Sequence, residues 1–254
     1  MGCTPSRDIH SIEEYGYKGE IKFVDDEVLM QGMGRQENED GSVYTGRFKN
    51  NLYHGYGTMH YAISDDSHAE EPISYEGNWK NGSKVGKGKI IYQDGSYYYG
   101  TFNYDKIHGK GIYVFADGHK YIGDFFNESM QGKGKVYDRN DNIVYQGEFF
   151  NDKYHGKGTL YVDNVRHYVG DFVNGLFHGE GKLYDCEGYF IQRGYFENGN
   201  ILEYNNENIV VADVVEVNHE TNSNIPYAQA YSEEYSQEYS QELVQAVTTS
   251  SYVF

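Results

Sequence analysis

The 254 residues hold 21 Lys and Arg against 39 Asp and Glu, a net charge of -18. That balance argues against nucleic acid as a partner, because no basic stripe is on hand to release phosphate counterions, and against an anionic membrane surface. Mean hydropathy is -0.76, yet 28 Tyr, 13 Phe and 31 Gly are present, which suits strands with one aromatic face better than packed helices.

The chain opens "MGCTPS". This has the acylation form Met-Gly-x-x-x-Ser/Thr, with Gly2 as the myristoyl acceptor and Cys3 placed for palmitoylation. One myristoyl chain binds membranes only marginally, with K on the order of 10⁴ M⁻¹. A polybasic second signal is missing, since Arg7 and Lys18 face Asp8, Glu13, Glu14 and Glu20. Dual acylation and residence on a cytosol-facing membrane, at the plasma membrane or an internal cortical membrane, are therefore expected. The cysteines, Cys3 and Cys186, have no metal spacing, and a reducing compartment is expected.

From Tyr17 onward one pattern recurs. Tyr17-x-Gly19-x-Ile21 is a worn copy, and Tyr44-x-Gly46-x-Phe48 leads to His54-Gly55-x-Gly57. Tyr75-x-Gly77-x-Trp79 is followed by Gly86-x-Gly88 and Asp94-Gly95, and Tyr98-x-Gly100-x-Phe102 by His108-Gly109-x-Gly111 and Asp117-Gly118. Further units start at Tyr121 (with Phe125), Tyr145 (with Phe149) and Tyr168 (with Phe172), and a half-copy runs Gln192-x-Gly194-x-Phe196. From Tyr75 the starts lie 23, 23, 24, 23 and 24 residues apart. A fixed period in the low twenties signals a quasi-linear array.

Alternation within a unit, as in Tyr98, Gly100 and Phe102, predicts strands. The polar stretch 103–107 is the turn between them, and Asp117-Gly118 turns the chain into the next strand. The fold class is therefore all-β: an elongated single-layer antiparallel sheet of tandem hairpins, with a C-terminal tail either helical or disordered. The predicted organisation is an acylated segment over 1–16, about seven hairpins and a partial cap over 17–199, and the tail over 200–254.

The repeated residues resemble the MORN (membrane occupation and recognition nexus) repeat family, whose pattern is close to Tyr-x-Gly-x-Trp/Phe, His-Gly-x-Gly, Asp/Asn-Gly. Departures are Gln31 and Gln131 in the His slot, an insertion at 64–72, and Asp163-Asn164 in place of Asp-Gly. The resemblance implies non-catalytic scaffolds that tether partners at membranes or the cell cortex, some of which take a peptide helix along an aromatic groove. Trp79, Phe102, Phe125, Phe149 and Phe172, with Tyr98, Tyr121, Tyr145 and Tyr168, are the expected groove lining; the bland alternative is that they pack only on each other.

Other chemistries fit poorly. Gly82 to Gly88 is one residue short of a phosphate loop and has Gly88 where a Ser or Thr should hold magnesium. The row His54, His108, His155, His178 is spaced about 10 Å per hairpin, too wide for one ion, and reads as turn-closing residues. Asp138 to Asn142 lacks the glycine and glutamate of a calcium loop. No catalytic residues, metal or cofactor are expected, and the protein reads as no enzyme.

The tail places Tyr231, Tyr235, Tyr239, Leu243 and Val247 every four residues, a helical stripe that could dock on the array or on a partner. The leading expectation is a membrane-anchored adaptor recruiting a protein partner, with a homodimer left open. The alternatives are a phospholipid-binding module, or a regulatory or targeting subunit of a signalling enzyme.

Overall fold

The computed structural model describes residues 10–12, 16–25, 27–63, 69–202, 204–205 and 208–209. Gly2, Cys3 and the tyrosine stripe of the tail lie outside them. The chain divides into two compact units whose boundary falls after Gly111. As the two-residue alternation predicts, both are built of antiparallel hairpins, and no helix occurs among the described residues.

The first unit contains β1 (His10–Ile12), β2 (Tyr17–Val24), β3 (Glu27–Glu37), β4 (Val43–Lys49), β5 (Leu52–His60), β6 (Pro72–Lys80), β7 (Ser83–Tyr92), β8 (Tyr97–Asn103) and the start of β9 (Lys106–Val114). The second contains β10 (Lys120–Phe126), β11 (Ser129–Tyr137), β12 (Ile143–Phe150), β13 (Lys153–Val162), β14 (Val165–Val173), β15 (Leu176–Tyr184), β16 (Phe190–Glu197) and the short β17 (Asn200–Leu202). Within each unit successive strands pair in sequence order. The worn copy at Tyr17 forms a hairpin like the others.

Register is fixed by glycine. Gly19, Gly34, Gly46, Gly57, Gly77, Gly88 and Gly100 oppose one another strand after strand in the first unit. Gly123, Gly134, Gly147, Gly158, Gly170, Gly181 and Gly194 do the same in the second. Each hairpin lays its own tyrosine ring across its glycine pair. A Cβ added at Gly88 would stand 2.5 Å from the Tyr75 hydroxyl oxygen, inside any van der Waals limit.

The ring is anchored at its far end as well. Tyr17, Tyr44, Tyr75, Tyr98, Tyr121, Tyr145 and Tyr168 each donate a hydroxyl hydrogen bond to the carbonyl three residues on, at 2.6 to 3.1 Å. These carbonyls face the bulge made by the His-Gly-x-Gly segment. In β12 and β13, for example, Gly147 pairs Gly158 but Glu148 pairs His155. Gly156, in the skipped pair, takes a φ of 58° that glycine adopts without strain.

Neighbouring hairpins are joined by rings. Tyr44 meets the edge of Phe48 in its own unit and of Trp79 in the next, at 5.1 and 5.5 Å. Tyr145 meets Phe149 and Phe172 in the same way, both at 5.2 Å. A third residue stacks flat on the tyrosine: Tyr53 on Tyr44 at 4.0 Å, Tyr154 on Tyr145 at 3.7 Å and Phe177 on Tyr168 at 3.8 Å. Lys84 holds that slot beside Tyr75, its ammonium 5.6 Å from the ring centre.

The two kinds of turn differ. Hairpin tips are two-residue loops with both residues at positive φ, such as Asn50-Asn51, Tyr104-Asp105 and Asn151-Asp152. This is the primed geometry that matches strand twist, and it is tighter than the 103–107 segment expected. Within a unit, tips are tied to the hairpin before them, as at Asn51, Gly82, Asp105, Asp152, Gly175 and Gly199. Asp105 Oδ1 accepts from the Lys84 amide while its own amide donates to the Lys84 carbonyl; Asp152 and Met130 repeat the arrangement. At the opposite end, Asp94-Gly95 and Asp117-Gly118 sit in three-residue loops, the aspartate accepting from the amide two residues on. Asp163-Asn164 forms a two-residue loop instead.

Burial drives the tyrosine hydroxyls of this row away from ionisation. Tyr17, Tyr44 and Tyr98 are pushed up to about 12, and Tyr75, Tyr121, Tyr145 and Tyr168 further. Below about pH 10 folded and unfolded phenols are both protonated, so no stability is lost; above it the unfolded state releases protons that the folded state keeps. Stability should fall as pH rises from about 10 through about 12, with the phenolate absorbance of this buried row and loss of β circular dichroism appearing together, after the exposed tyrosines have titrated. Titration of all 28 tyrosines at the ordinary phenol pH while the sheet persists would contradict this burial.

Gly88→Ala should lower the thermal midpoint well beyond Gly95→Ala. The first drives a methyl into Tyr75, whereas the second meets nothing within 4 Å and bears only left-handed strain of about 1–2 kcal/mol. Equal losses would show that ring crowding does not set the register.

Candidate docking surfaces

The structure places all nine expected groove residues in the core. Tyr98, Tyr121, Tyr145 and Tyr168 are fully buried, and Trp79, Phe102, Phe125, Phe149 and Phe172 are at most 5% exposed. The open-groove expectation is corrected on this point: these rings are covered by one another and by the stacking residues, and Trp79, Phe102, Phe149 and Phe172 are each shared by two hairpins. Their part in docking is to hold the frame rigid.

The other motifs are also drawn into the fold. In the stretch 82–88, Gly82 completes a hairpin tip, Gly86 takes positive φ and Gly88 lies under Tyr75. Asp138 turns its carboxylate onto the amides of Asn140 and Asn142, both at 2.8 Å. The Nδ1 atoms of His54, His155 and His178 are buried with no hydrogen-bond partner, so the expected turn-closing bond is not made through them. No cluster of metal-ligating side chains exists among the described residues, and no helix among them is long and apolar enough to cross a membrane.

Two surfaces in the second unit stay open. The first is its last long strand. In β16, Gln192 stands where earlier units have tyrosine, and the space over Gly194 is filled by Ile201 instead of a ring. The short β17 pairs only residues 195–197 of β16. Around the remainder, Tyr189, Phe190, Ile191 and Tyr195 are 67%, 57%, 48% and 41% exposed. Phe196 still caps the ring row, meeting the edge of Tyr168 at 5.2 Å.

The second surface is the sheet face opposite the rings. Cross-strand pairing sets Lys135, Gln146, Thr159, Val169, Lys182 and Arg193 in one row from β11 to β16. The row holds three cations and no carboxylate. One row further, Lys120 lies 5.1 Å from the Tyr137 ring centre and Arg166 5.2 Å from that of Tyr184. On the other side charges are matched: Lys133 opposes Glu148, and Lys157 bonds Asp171 at 2.7 Å. That bond holds the Lys157 ammonium above its ordinary pKa.

Neither surface emerges from composition. The cationic row is hidden by the overall charge of -18. It becomes readable only when the glycine pairs set the register, because Lys135 and Lys182 follow the second glycine of their units by one residue and Arg193 precedes Gly194.

Comparison with known proteins bears on the repeat. The family model for the MORN repeat matches residues 44–65, 75–97, 98–120, 145–166 and 168–188. Alsin from Rattus norvegicus is 36% identical over 77 residues, which is 30% of this chain and 4% of that protein. The chain thus spans a small fraction of the curated relative it matches. The hairpins at Tyr17 and Tyr121 share the ring-over-glycine geometry outside the matched residues. The chain is thus a repeat protein in which the MORN family model detects five repeats.

Proposed function

We propose that the protein is a non-catalytic, membrane-anchored adaptor that brings a protein partner to a cytosol-facing membrane. The observation that carries this reading is the half-open strand β16, with Tyr189, Phe190, Ile191 and Tyr195 exposed around it. A strand whose residues 190–194 have no second strand partner among the described residues, beside apolar side chains, suits an extended segment of a partner, which adds hydrogen bonds and fills the spaces between those side chains. The rigid row of shared rings supports the same reading, since a stiff surface loses little entropy on binding. Gly2 and Cys3 would supply the two acyl chains needed for stable anchoring.

A phospholipid-binding role for the array is the second reading. It is favoured by the acid-free row of Lys135, Lys182 and Arg193 and opposed by the charge of the whole chain. Pelleting of unacylated protein with anionic vesicles separates the two readings, because the adaptor needs its acyl chains to sediment.

Fractionation of cells expressing wild type, Gly2→Ala and Cys3→Ser should find wild type on membranes, Gly2→Ala largely soluble and Cys3→Ser reduced, because one chain binds only marginally. Firm membrane retention of both variants would rule out acyl anchoring. For the partner, Phe190→Ser with Ile191→Ser should abolish its recovery from membranes by affinity purification, while Tyr56→Ser should leave it unchanged. Equal recovery with all three proteins would remove β16 as the docking strand.

A further inference from the structure

The face of the second unit opposite the rings has an unresolved electrostatic problem. Lys182 and Arg193 are directly opposed across β15 and β16, a like-charge arrangement that destabilises an antiparallel pair. Among the described residues no carboxylate pairs with Lys135, Lys182 or Arg193, whereas Lys157, one row away, has Asp171. Lys182 and Arg193 are exposed and Lys135 is half-buried.

The chain carries its own counter-charge. Residues 203–254 contain nine Asp and Glu and no Lys or Arg, half of the net charge of -18. Four of the nine, Glu233, Glu234, Glu238 and Glu242, fall within ten residues, interleaved with Tyr235 and Tyr239. In sequence this segment follows directly on β17, which pairs with β16, the strand that bears Arg193.

Its length is sufficient. Lys135 and Lys182 lie four strands apart, about 19 Å. Between Leu202 and these glutamates stand 30 to 39 residues, a length that reaches about 30 Å on average by random-coil scaling. Tethering at that range gives an effective concentration of order mM, enough for a modest electrostatic contact to be occupied.

We propose that the acidic segment 203–254 folds back onto the cationic face of β11–β16, with Glu233, Glu234, Glu238 and Glu242 neutralising Lys135, Lys182 and Arg193. Tyr235 and Tyr239 find Tyr137 and Tyr184, already paired with Lys120 and Arg166, along the same surface. The face is then conditional: an anionic partner reaches it only by displacing the tail. The inference does not depend on the adaptor reading, which uses β16's apolar end.

Zero-length carbodiimide coupling of the full chain, as an equal mixture of ¹⁵N-labelled and unlabelled protein, tests it. Isopeptide links should join Lys135 and Lys182 to carboxylates of 203–254 within one chain, with the yield reduced about fivefold or more when salt is raised toward 1 M and the screening length shrinks to about 3 Å. The variant Glu233→Gln, Glu234→Gln, Glu238→Gln, Glu242→Gln should lose the links, while the Lys157–Asp171 link persists in both proteins and reports an intact sheet. Links that are absent, that form only between chains, or that survive the four substitutions would overturn the proposal. So would a full chain that sediments measurably with anionic vesicles and does so to the same extent before and after those substitutions, since a tail that shields the face must weaken that binding.

Discussion

A tyrosine ring laid across two opposed glycines is the interaction on which this molecule depends. It does three things at once. The ring occupies the volume that two Cβ atoms would need, so the register of each hairpin cannot slip by a residue without a clash. Its hydroxyl reaches the carbonyl exposed by the bulge, which would otherwise be a buried acceptor without a donor. Its edges receive a Phe or Trp from its own hairpin and another from the next. Register, backbone satisfaction and packing between repeats therefore share one side chain, and the low-twenties period is the spacing at which that side chain must recur.

Much of this was legible in the sequence. The alternation of Tyr98, Gly100 and Phe102 gives strands, and the recurrence of the triplet gives hairpins in tandem. Alternation assigns a residue to a face but does not say what covers that face. For that reason the nine rings could be read as a groove lining, whereas the structure buries them through partners in adjacent units. The stacking slot is not legible in the sequence because its occupants, Tyr53, Lys84, Tyr154 and Phe177, follow no single residue type. Position two after the hairpin tip defines it, and the tip itself becomes visible only once its two-residue length is known. The hydroxyl-to-carbonyl bond was equally hidden, since it depends on a bulge displacing the backbone.

Charge shows the same limit. A net value of -18 describes the whole chain and suggests repulsion from any anion. Acidic residues nevertheless concentrate in the turns, where Asp40, Asp94, Asp117, Asp138 and Asp185 bond the backbone of their own loops, and in the tail. The strands keep the lysines, which the glycine register then aligns. Segregation of this kind follows from turn chemistry, which wants short acceptors, and from strand faces, which tolerate long aliphatic stems with a charged end. A repeat protein built this way can oppose anions at a distance and still accept one locally.

The hairpin tips carry an implication for how such an array can change. With both residues at positive φ and the tip amide bonded to the hairpin before it, as at Asn51, Asp105 and Asp152, such tips have no slack, and one added residue there would unhook two repeats at once. The opposite rim is permissive: the lengthened connection between β5 and β6 is accommodated there, its returning limb bonded to the loop at Asp94 through Ala69 and Glu71. New material, whether acquired in evolution or inserted as a reporter, can therefore enter along one rim alone, which gives a sheet of this kind a growing margin and a sealed one.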